Sequence, residues 1–274
     1  MFTSQGPSLR ELAVQALSSV ERGYDLLAPK FDHTPFRTPD RVLDAVEETL
    51  ARYEGSFGSG LDLCCGTGAG IGMLRRLCRE RVTGVDLSAG MLAEAERVYG
   101  DGGGGGDGGT GDTAGRVGFV RADARALPAA LDDTYDLAVS FGAFGHFLPA
   151  ERPALFSGVH RVLRAGGVFA FPIGAPLAPA SPLWWMVAGF DAAMRVRNAV
   201  WRPPFVMYYR TFPLGGVRAD LRAAGFTVET VPLEQFGRRP DGSPRWRLVL
   251  ARKGHREESR EDSREDSRQG SHPA

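Results

Sequence analysis

The sequence predicts an α/β fold: a doubly wound, mostly parallel sheet of seven strands with an antiparallel last strand, plus added helices at the N-terminus and in the last third. Three observations predict it. Short apolar strands alternate with helical periodicities across residues 61–171, which implies parallel strands joined by helical crossovers. These strands are apolar runs, as strands covered on both faces must be. The chain then ends on two strand-like segments, 227–232 and 246–251, separated by a Gly/Pro/Asp turn, a pair suited to closing the sheet.

The elements follow in order. Ser8 and Glu11 have the spacing of a capping box, and Leu9, Leu12, Ala13, Ala16 and Leu17 continue at helical intervals. Thr38-Pro39 starts a second helix whose apolar face is Val42, Ala45, Val46 and Leu50. A first strand at 61–64 runs into glycines, and Ile71, Leu74 and Leu77 mark the helix after it. A second strand at 82–85 precedes Ser88, which can cap a helix through Met91, Ala95 and Val98. Strands are expected at 117–120, 135–139 and 168–171, with a helix at 149–163 before the last of these and another at 217–224. The segment 101–112, DGGGGGDGGTGD, has nothing to bury and is expected to be a flexible surface loop. The segment 253–274 has no aliphatic or aromatic core residue and nearly cancelling charges, so disorder is expected there. The organisation predicted is a helical cap region at 1–54, a main domain at 55–252 carrying an insert at 176–212, and the tail.

Composition excludes several classes. Lys+Arg and Asp+Glu are equal at 33 each, whereas a protein built to grip nucleic acid needs a basic face. Three cysteines, two of them adjacent, make neither a disulfide framework nor a zinc cluster. The N-terminus lacks the basic start and apolar run of a secretion signal, and a reduced, cytoplasmic setting is expected. Residues 165–190 carry no formal charge, but Pro172, Pro176, Pro179 and Pro182 deny a bilayer helix of about 20 residues. A buried strand, a proline-rich loop and the start of a helix are expected there, with no membrane span.

Ligands of a doubly wound sheet sit beyond the carboxyl ends of its strands. After the first strand comes Asp62-Leu63-Cys64-Cys65-Gly66-Thr67-Gly68-Ala69-Gly70. Its glycines allow a tight turn, and the following helix presents free N–H groups to an anion. Asp86 ends the second strand, 24 residues beyond Asp62, where a carboxylate can accept both hydroxyl protons of a ribose. The pattern asks for a ligand with a ribose and an anionic end. Two classes fit, a dinucleotide and S-adenosylmethionine (SAM). The dinucleotide fingerprint G-x-G-x-x-G wants glycine where this chain has Ile71. SAM also brings an ammonium, for which Asp62 is an acceptor.

Across residues 60–171 the sequence resembles class I SAM-dependent methyltransferases, in particular the broad bacterial group acting on small molecules. LDLCCGTGAG, GVDLS, RADARALP, YDLAVSFGAFGHF and VLRAGGVFAF stand in the family's order, each beside an apolar strand. The resemblance implies a Rossmann-like fold and SAM as cofactor. It implies that Asp62 orients the methionine ammonium and that Gly66, Thr67 and Gly68 line the methionine. Asp86 would hold the ribose, with Leu87 and Met91 against the adenine. Asp123 would accept the adenine amino group, and the Ala124 N–H would meet the ring. Ser140 and Phe141 would face the methionine backbone. Gly70, Gly72 and Asp136 are given structural roles, and Met91 is expected to be partly core.

Methyl transfer is an in-line displacement that gains mainly from positioning. A general base is needed only when the acceptor must lose a proton, and His146 is the candidate, against a packing role for the same ring. The chain lacks an Asn/Asp-Pro-Pro-aromatic after the fourth strand, a Pro-Cys pair and a carboxylate set for a metal-assisted catechol site. The expected partner is a small, partly apolar acceptor, its pocket supplied by residues 24–37 (Tyr24, Phe31, His33, Phe36) and by the insert (Trp184, Trp185, Phe190, Trp201, Phe205, Tyr208, Tyr209). Arg195, Arg197 and Arg202 are candidates for an acidic acceptor or a solvated helix face. A SAM-binding protein without catalysis, and then an NAD-dependent oxidoreductase, are the alternatives. Oligomeric state is left open.

Overall fold

The computed structural model describes residues 6–54, 56–100, 116–179, 181–210 and 212–254. The loop expected at 101–112, and the tail from residue 255 on, lie outside them. Seven strands, β1 (Phe57–Leu63), β2 (Cys78–Asp86), β3 (Arg116–Arg121), β4 (Tyr135–Val139), β5 (Leu163–Gly174), β6 (Phe226–Pro232) and β7 (Trp246–Lys253), form one sheet. Their order is β3-β2-β1-β4-β5-β7-β6. The first five are parallel, and β7 runs antiparallel between β5 and β6. Strand order reverses between β1 and β4, and that switch point opens the crevice in which such sheets bind ligands.

Side chains of the strands alternate between two apolar layers, as the two-residue repeat of a strand requires. Leu61, Leu63, Phe169 and Phe171 enter one layer, which Phe156 and Val159 of α6 (Arg152–Val162) and Val217 and Leu221 of α8 (Leu214–Ala223) cover. Leu137, Val139, Val168 and Ala170 enter the other, against Val46 and Leu50 of α3 (Asp40–Glu54) and Ile71 and Leu74 of α4 (Ala69–Leu77). Core phenylalanines of this kind are each worth about 3–5 kcal/mol against alanine, so the sheet is a stiff platform for the loops at its carboxyl edge.

The helix starts follow their caps. Ser8 and Glu11 close a reciprocal capping box on α1 (Leu9–Leu17), and the Ser88 hydroxyl accepts the Met91 N–H to open α5 (Ala89–Tyr99). One helix was not expected. α2 (Val20–Leu27), capped by Ser19, leads into a 3-10 turn (Ala28–His33), and the two lie across the carboxyl edge of the sheet. In the insert, α7 (Pro182–Val200) starts at Ser181 and buries only Asp191 and Met194. Trp185 is 65% exposed and Val200 78%. Asp191 fixes the chain that follows by accepting from the Tyr209 N–H and the Arg210 guanidinium. Among the described residues no helix is long and apolar enough to cross a membrane.

Candidate functional site

A chamber of about 1540 Å³ lies over the carboxyl ends of β1, β2, β4 and β5, between α2 and the insert. Pockets for one small ligand run to roughly 300–1,000 Å³, so this space can hold two. Asp62, Gly66, Thr67, Asp86, Leu87, Met91, Asp123, Ala124, Phe141 and His146 all line it. Gly68 and Ser140 do not. Gly68 is the left-handed cap of α4, with φ 92°, and the Ser140 hydroxyl donates to the Leu63 carbonyl at 2.8 Å.

The turn after β1 is tight and costs conformational strain. Cys64, which is not glycine, sits at φ 59°, and Gly66 at φ 54°. A Cβ on Gly66 would meet nothing within 4 Å, so its backbone faces open chamber. α4 then begins without a side-chain cap, leaving the N–H groups of its first turn for a ligand.

Asp62 is 1% exposed, and among the described residues its Oδ2 has no hydrogen-bond partner. Burial, with the Asp86 charge second, pushes its carboxyl well above the usual 3.8. An acid raised in the folded state destabilises it as pH rises, because the unfolded chain ionises first. Below about pH 3.8 both states are protonated and nothing is lost. The loss builds above that and stops once the folded carboxyl has titrated. Asp86, raised by burial against its hydrogen bonds, adds to the same slope. Asp62→Asn should therefore flatten, without abolishing, the fall in thermal stability of the ligand-free protein between about pH 4 and 8. Melts across that range check it, and an unchanged slope would count against the assignment.

Gly70 is explained by Asp62. A Cβ there would stand 2.5 Å from Asp62 Oδ2. Gly70→Ala gains up to about 1 kcal/mol of helix propensity but overpacks a buried carboxylate, at about 1–3 kcal/mol. The net expected is a thermal midpoint lower by several degrees and weaker cofactor binding, both readable by melts with and without ligand. A midpoint raised by the full propensity gain would show that Asp62 can move.

Asp86 ends β2 with each oxygen already aimed. Oδ2 accepts the Gly66 N–H and Oδ1 the Ser88 N–H, both at 2.9 Å. Each oxygen keeps a lone pair for a further donor. Asp123 is held by Arg125, whose guanidinium lowers its carboxyl and also reaches Glu151. Met91 is 1% exposed, a core residue that also forms chamber floor. Asp136 stays at the far end of the sheet, accepting from the Ser59 N–H and Arg164.

His146 lines the chamber with both ring nitrogens already engaged. Its Nδ1 lies 2.6 Å from the Val206 carbonyl and its Nε2 2.8 Å from the Tyr24 hydroxyl. A carbonyl only accepts, so Nδ1 carries the proton and Nε2 of the neutral ring accepts from Tyr24. Burial keeps the ring's pKa below its usual value, opposed by the Val206 bond, and holds the Tyr24 phenol well above its own.

The N-terminal segment reaches all four loops beneath it. Asp25 accepts from the Ser88 hydroxyl and the Gly90 N–H, Asp32 from the Thr67 hydroxyl, and Glu21 from Arg121, while Tyr24 meets His146. Asp25 and Asp32 carried no motif that could have announced them. Of the aromatics expected around an acceptor, Tyr24, Phe31, Phe36, Trp184, Tyr208 and Tyr209 line the chamber. His33, Trp185, Phe190, Trp201 and Phe205 do not. Nor do the three arginines singled out in the insert. Arg197 bonds the Ser18 and Pro203 carbonyls, and Arg195 lies over the Tyr208 ring. Outside the insert, Arg37 and Arg125 line the chamber, each ion-paired, and so do Arg218 on α8 and Arg247 on β7, which sit in segments with no recognisable motif.

Residues 61–167 match the family model described as "Methyltransferase domain". A comparison by sequence with curated proteins finds no match. Among solved structures, the DhpI–SAH complex is 20% identical with a TM-score of 0.57, covering 91% of this chain and 100% of that one. A SAM-dependent methyltransferase from Methanosarcina mazei is 19% identical with a TM-score of 0.54, covering 76% of this chain and 97% of its own. The magnesium protoporphyrin IX methyltransferase of Synechocystis, solved with bound SAH, is 18% identical with a TM-score of 0.51, covering 78% and 82%. At these identities the likeness is one of fold. Together with the domain match over β1 to β5, it shows that this chain has the fold of SAM-dependent methyltransferases and that its central segment matches a methyltransferase domain.

Proposed function

We propose that this protein transfers a methyl group from S-adenosylmethionine to a small, partly apolar acceptor by in-line displacement, in a reducing cytoplasmic setting that suits its three free thiols. One observation carries the reading: a single chamber joins the acidic set at β1 and β2 to an aromatic wall built from the N-terminal segment and the insert. The cofactor fits the first part. The orphaned Oδ2 of Asp62 would take the methionine ammonium, and the uncapped start of α4 would take its carboxylate. Gly66, Thr67, Gly68 and Phe141 would shape the methionine site, with Ser140 acting through the Leu63 carbonyl it holds. Asp86 would accept the ribose hydroxyls. Leu87, Met91, Asp123 and the Ala124 N–H would hold the adenine.

When bound, the cofactor supplies an activated methyl group. The chain's own residues supply position, exclusion of water and a path for a proton. Lining residues within 19–42 and the described residues of the insert form the two walls beside the acceptor. Tyr24 faces it, and His146 stands behind Tyr24. An acceptor hydroxyl or amine gives its proton to Tyr24 Oη as the Tyr24 proton passes to His146 Nε2. Nδ1–H remains on the Val206 carbonyl throughout. A neutral imidazole suits this role, and its lowered pKa puts the acid limb of the kcat profile below about pH 6.5.

Calorimetry with SAM, its demethylated product and NAD(H), followed by transfer of labelled methyl into a metabolite extract, tests the reading. Binding of SAM and its product together with labelled small molecules is expected. Binding of NAD(H) alone, or SAM binding with no transfer to any small molecule, would overturn it.

A further inference from the structure

Charge is not balanced along the chamber. At the β1–β2 end stand Asp62, Asp86 and Asp123; the two glutamates on the lining are already paired, Glu21 with Arg121 and Glu151 with Arg125, and Arg37 is paired with Asp40. At the β5–β7 end stand Arg218 and Arg247. Antiparallel pairing sets Arg247 opposite Ile173 of β5 and Pro232 of β6, and α8, which carries Arg218, packs on β6. Among the described residues neither arginine has a carboxylate partner. The Arg218 Nε is buried without any hydrogen bond, and Arg247 makes one long contact, 3.4 Å, to the Pro244 carbonyl. Arg210, the third arginine on this wall, is bound to Asp191 and lies over the Trp184 ring.

A buried guanidinium donor without an acceptor is costly to keep. Guanidinium forks match planar or tetrahedral oxyanions. The cofactor's own carboxylate is not that anion. From β1, which carries Asp62, to β7 the sheet order is β1-β4-β5-β7, three spacings of about 4.8 Å and so about 14 Å. From Asp86 on β2 the distance is about 19 Å. A second feature lies at the same end. α8 starts at Pro213 without a side-chain cap, and Pro213 and Leu214 line the chamber, so the positive end of this helix borders it. Between the two ends the wall is aromatic, with Phe144 stacked on Phe212 at 4.1 Å and in edge contact with Phe171.

We infer that the acceptor is an apolar molecule with a terminal oxyanion, held by Arg218 and Arg247 so that its other end meets the methyl group. The inference rests on the methyltransferase reading and names the acceptor class for it. The group is a carboxylate or a phosphate monoester, which share the chemistry the arginines recognise. Arg218 and Arg247 position the acceptor and take no part in bond making.

The test is titration of the full chain, with and without S-adenosylhomocysteine, by 3-phenylpropanoate, 2-phenylethyl phosphate and the neutral 3-phenylpropanamide. At least one anion should bind about tenfold or more tighter than the amide, and the tighter of the two identifies the source. In Arg218→Gln and in Arg247→Gln that preference should fall below about threefold, with S-adenosylhomocysteine affinity unchanged. Each variant is read separately, so a folding failure in one leaves the other decisive. Equal binding of anion and amide by the wild-type chain, no binding of either included, overturns the inference. So does a preference that survives in both variants. Loss of S-adenosylhomocysteine binding by the wild type would instead remove the methyltransferase reading, while the anion preference of the free protein stays measurable.

Discussion

Tyr24→Phe should lower kcat by about two orders of magnitude while leaving SAM affinity within about twofold, since a positioned proton acceptor contributes 10²–10⁴-fold. His146 spends Nδ1–H on the Val206 carbonyl, and its only accepting nitrogen is covered by the Tyr24 hydroxyl. The phenol takes up the lone pair of that nitrogen and stands beside it on the chamber lining. Phenylalanine keeps the ring that packs at 5.3 Å against His146 and near Phe31 and Phe205 and removes only the relay oxygen. His146→Gln should show a comparable loss and should also erase the acid limb of the pH profile, which a purely packing role would leave in place. Steady-state kinetics from about pH 5 to 9 decide it. A Tyr24→Phe enzyme with wild-type kcat would mean that the acceptor reacts without losing a proton to this pair.

Asp86→Ala should weaken SAM binding by about 1.5–3 kcal/mol, the worth of charge-assisted hydrogen bonds, which is roughly ten- to a hundredfold in affinity. Two effects act together. The ribose loses its acceptor, and the N–H groups of Gly66 and Ser88 lose the oxygens that aim their loops. Asp86→Asn separates them. An amide oxygen can still accept from one of the two loops, but it cannot serve both and a diol as well. Its affinity should fall between those of alanine and wild type. Calorimetry checks both variants, and an alanine variant with unchanged affinity would put the ribose elsewhere.

Much of the fold was legible because local signals and burial agree. The strands at 61–63, 82–85 and 135–139 are apolar runs in a sheet covered on both faces, and Ser8 and Ser88 cap the helices they announce. Strand ends were not legible. β2 begins at Cys78 and passes through Arg79, Glu80 and Arg81, exposed polar residues that continue as strand only because β1 pairs with them. α2 was missed because Gly23 interrupts it. Its backbone approaches Gln15 and Phe205 so closely that a Cβ would stand 2.9 Å from the latter ring, a tertiary demand invisible in a window of sequence. The cofactor side of the site was readable since its residues are consecutive or follow strand ends. The acceptor side was not. Arg218 and Arg247 are brought to one wall only by the antiparallel return of β7 between β5 and β6, while Arg197, nearer in sequence to the aromatics, ties together backbone carbonyls.

The bonds from Glu21, Tyr24, Asp25 and Asp32 to the loops below have a kinetic meaning. A ligand seated beneath these bonds is covered on that side, and its exit is eased when they part. Several of the fasteners are exposed ion pairs or single hydrogen bonds, each worth about 1 kcal/mol, and such closures part on microsecond to millisecond timescales. Ligand exchange beneath residues 19–37 would then be paced by how often these few bonds part together.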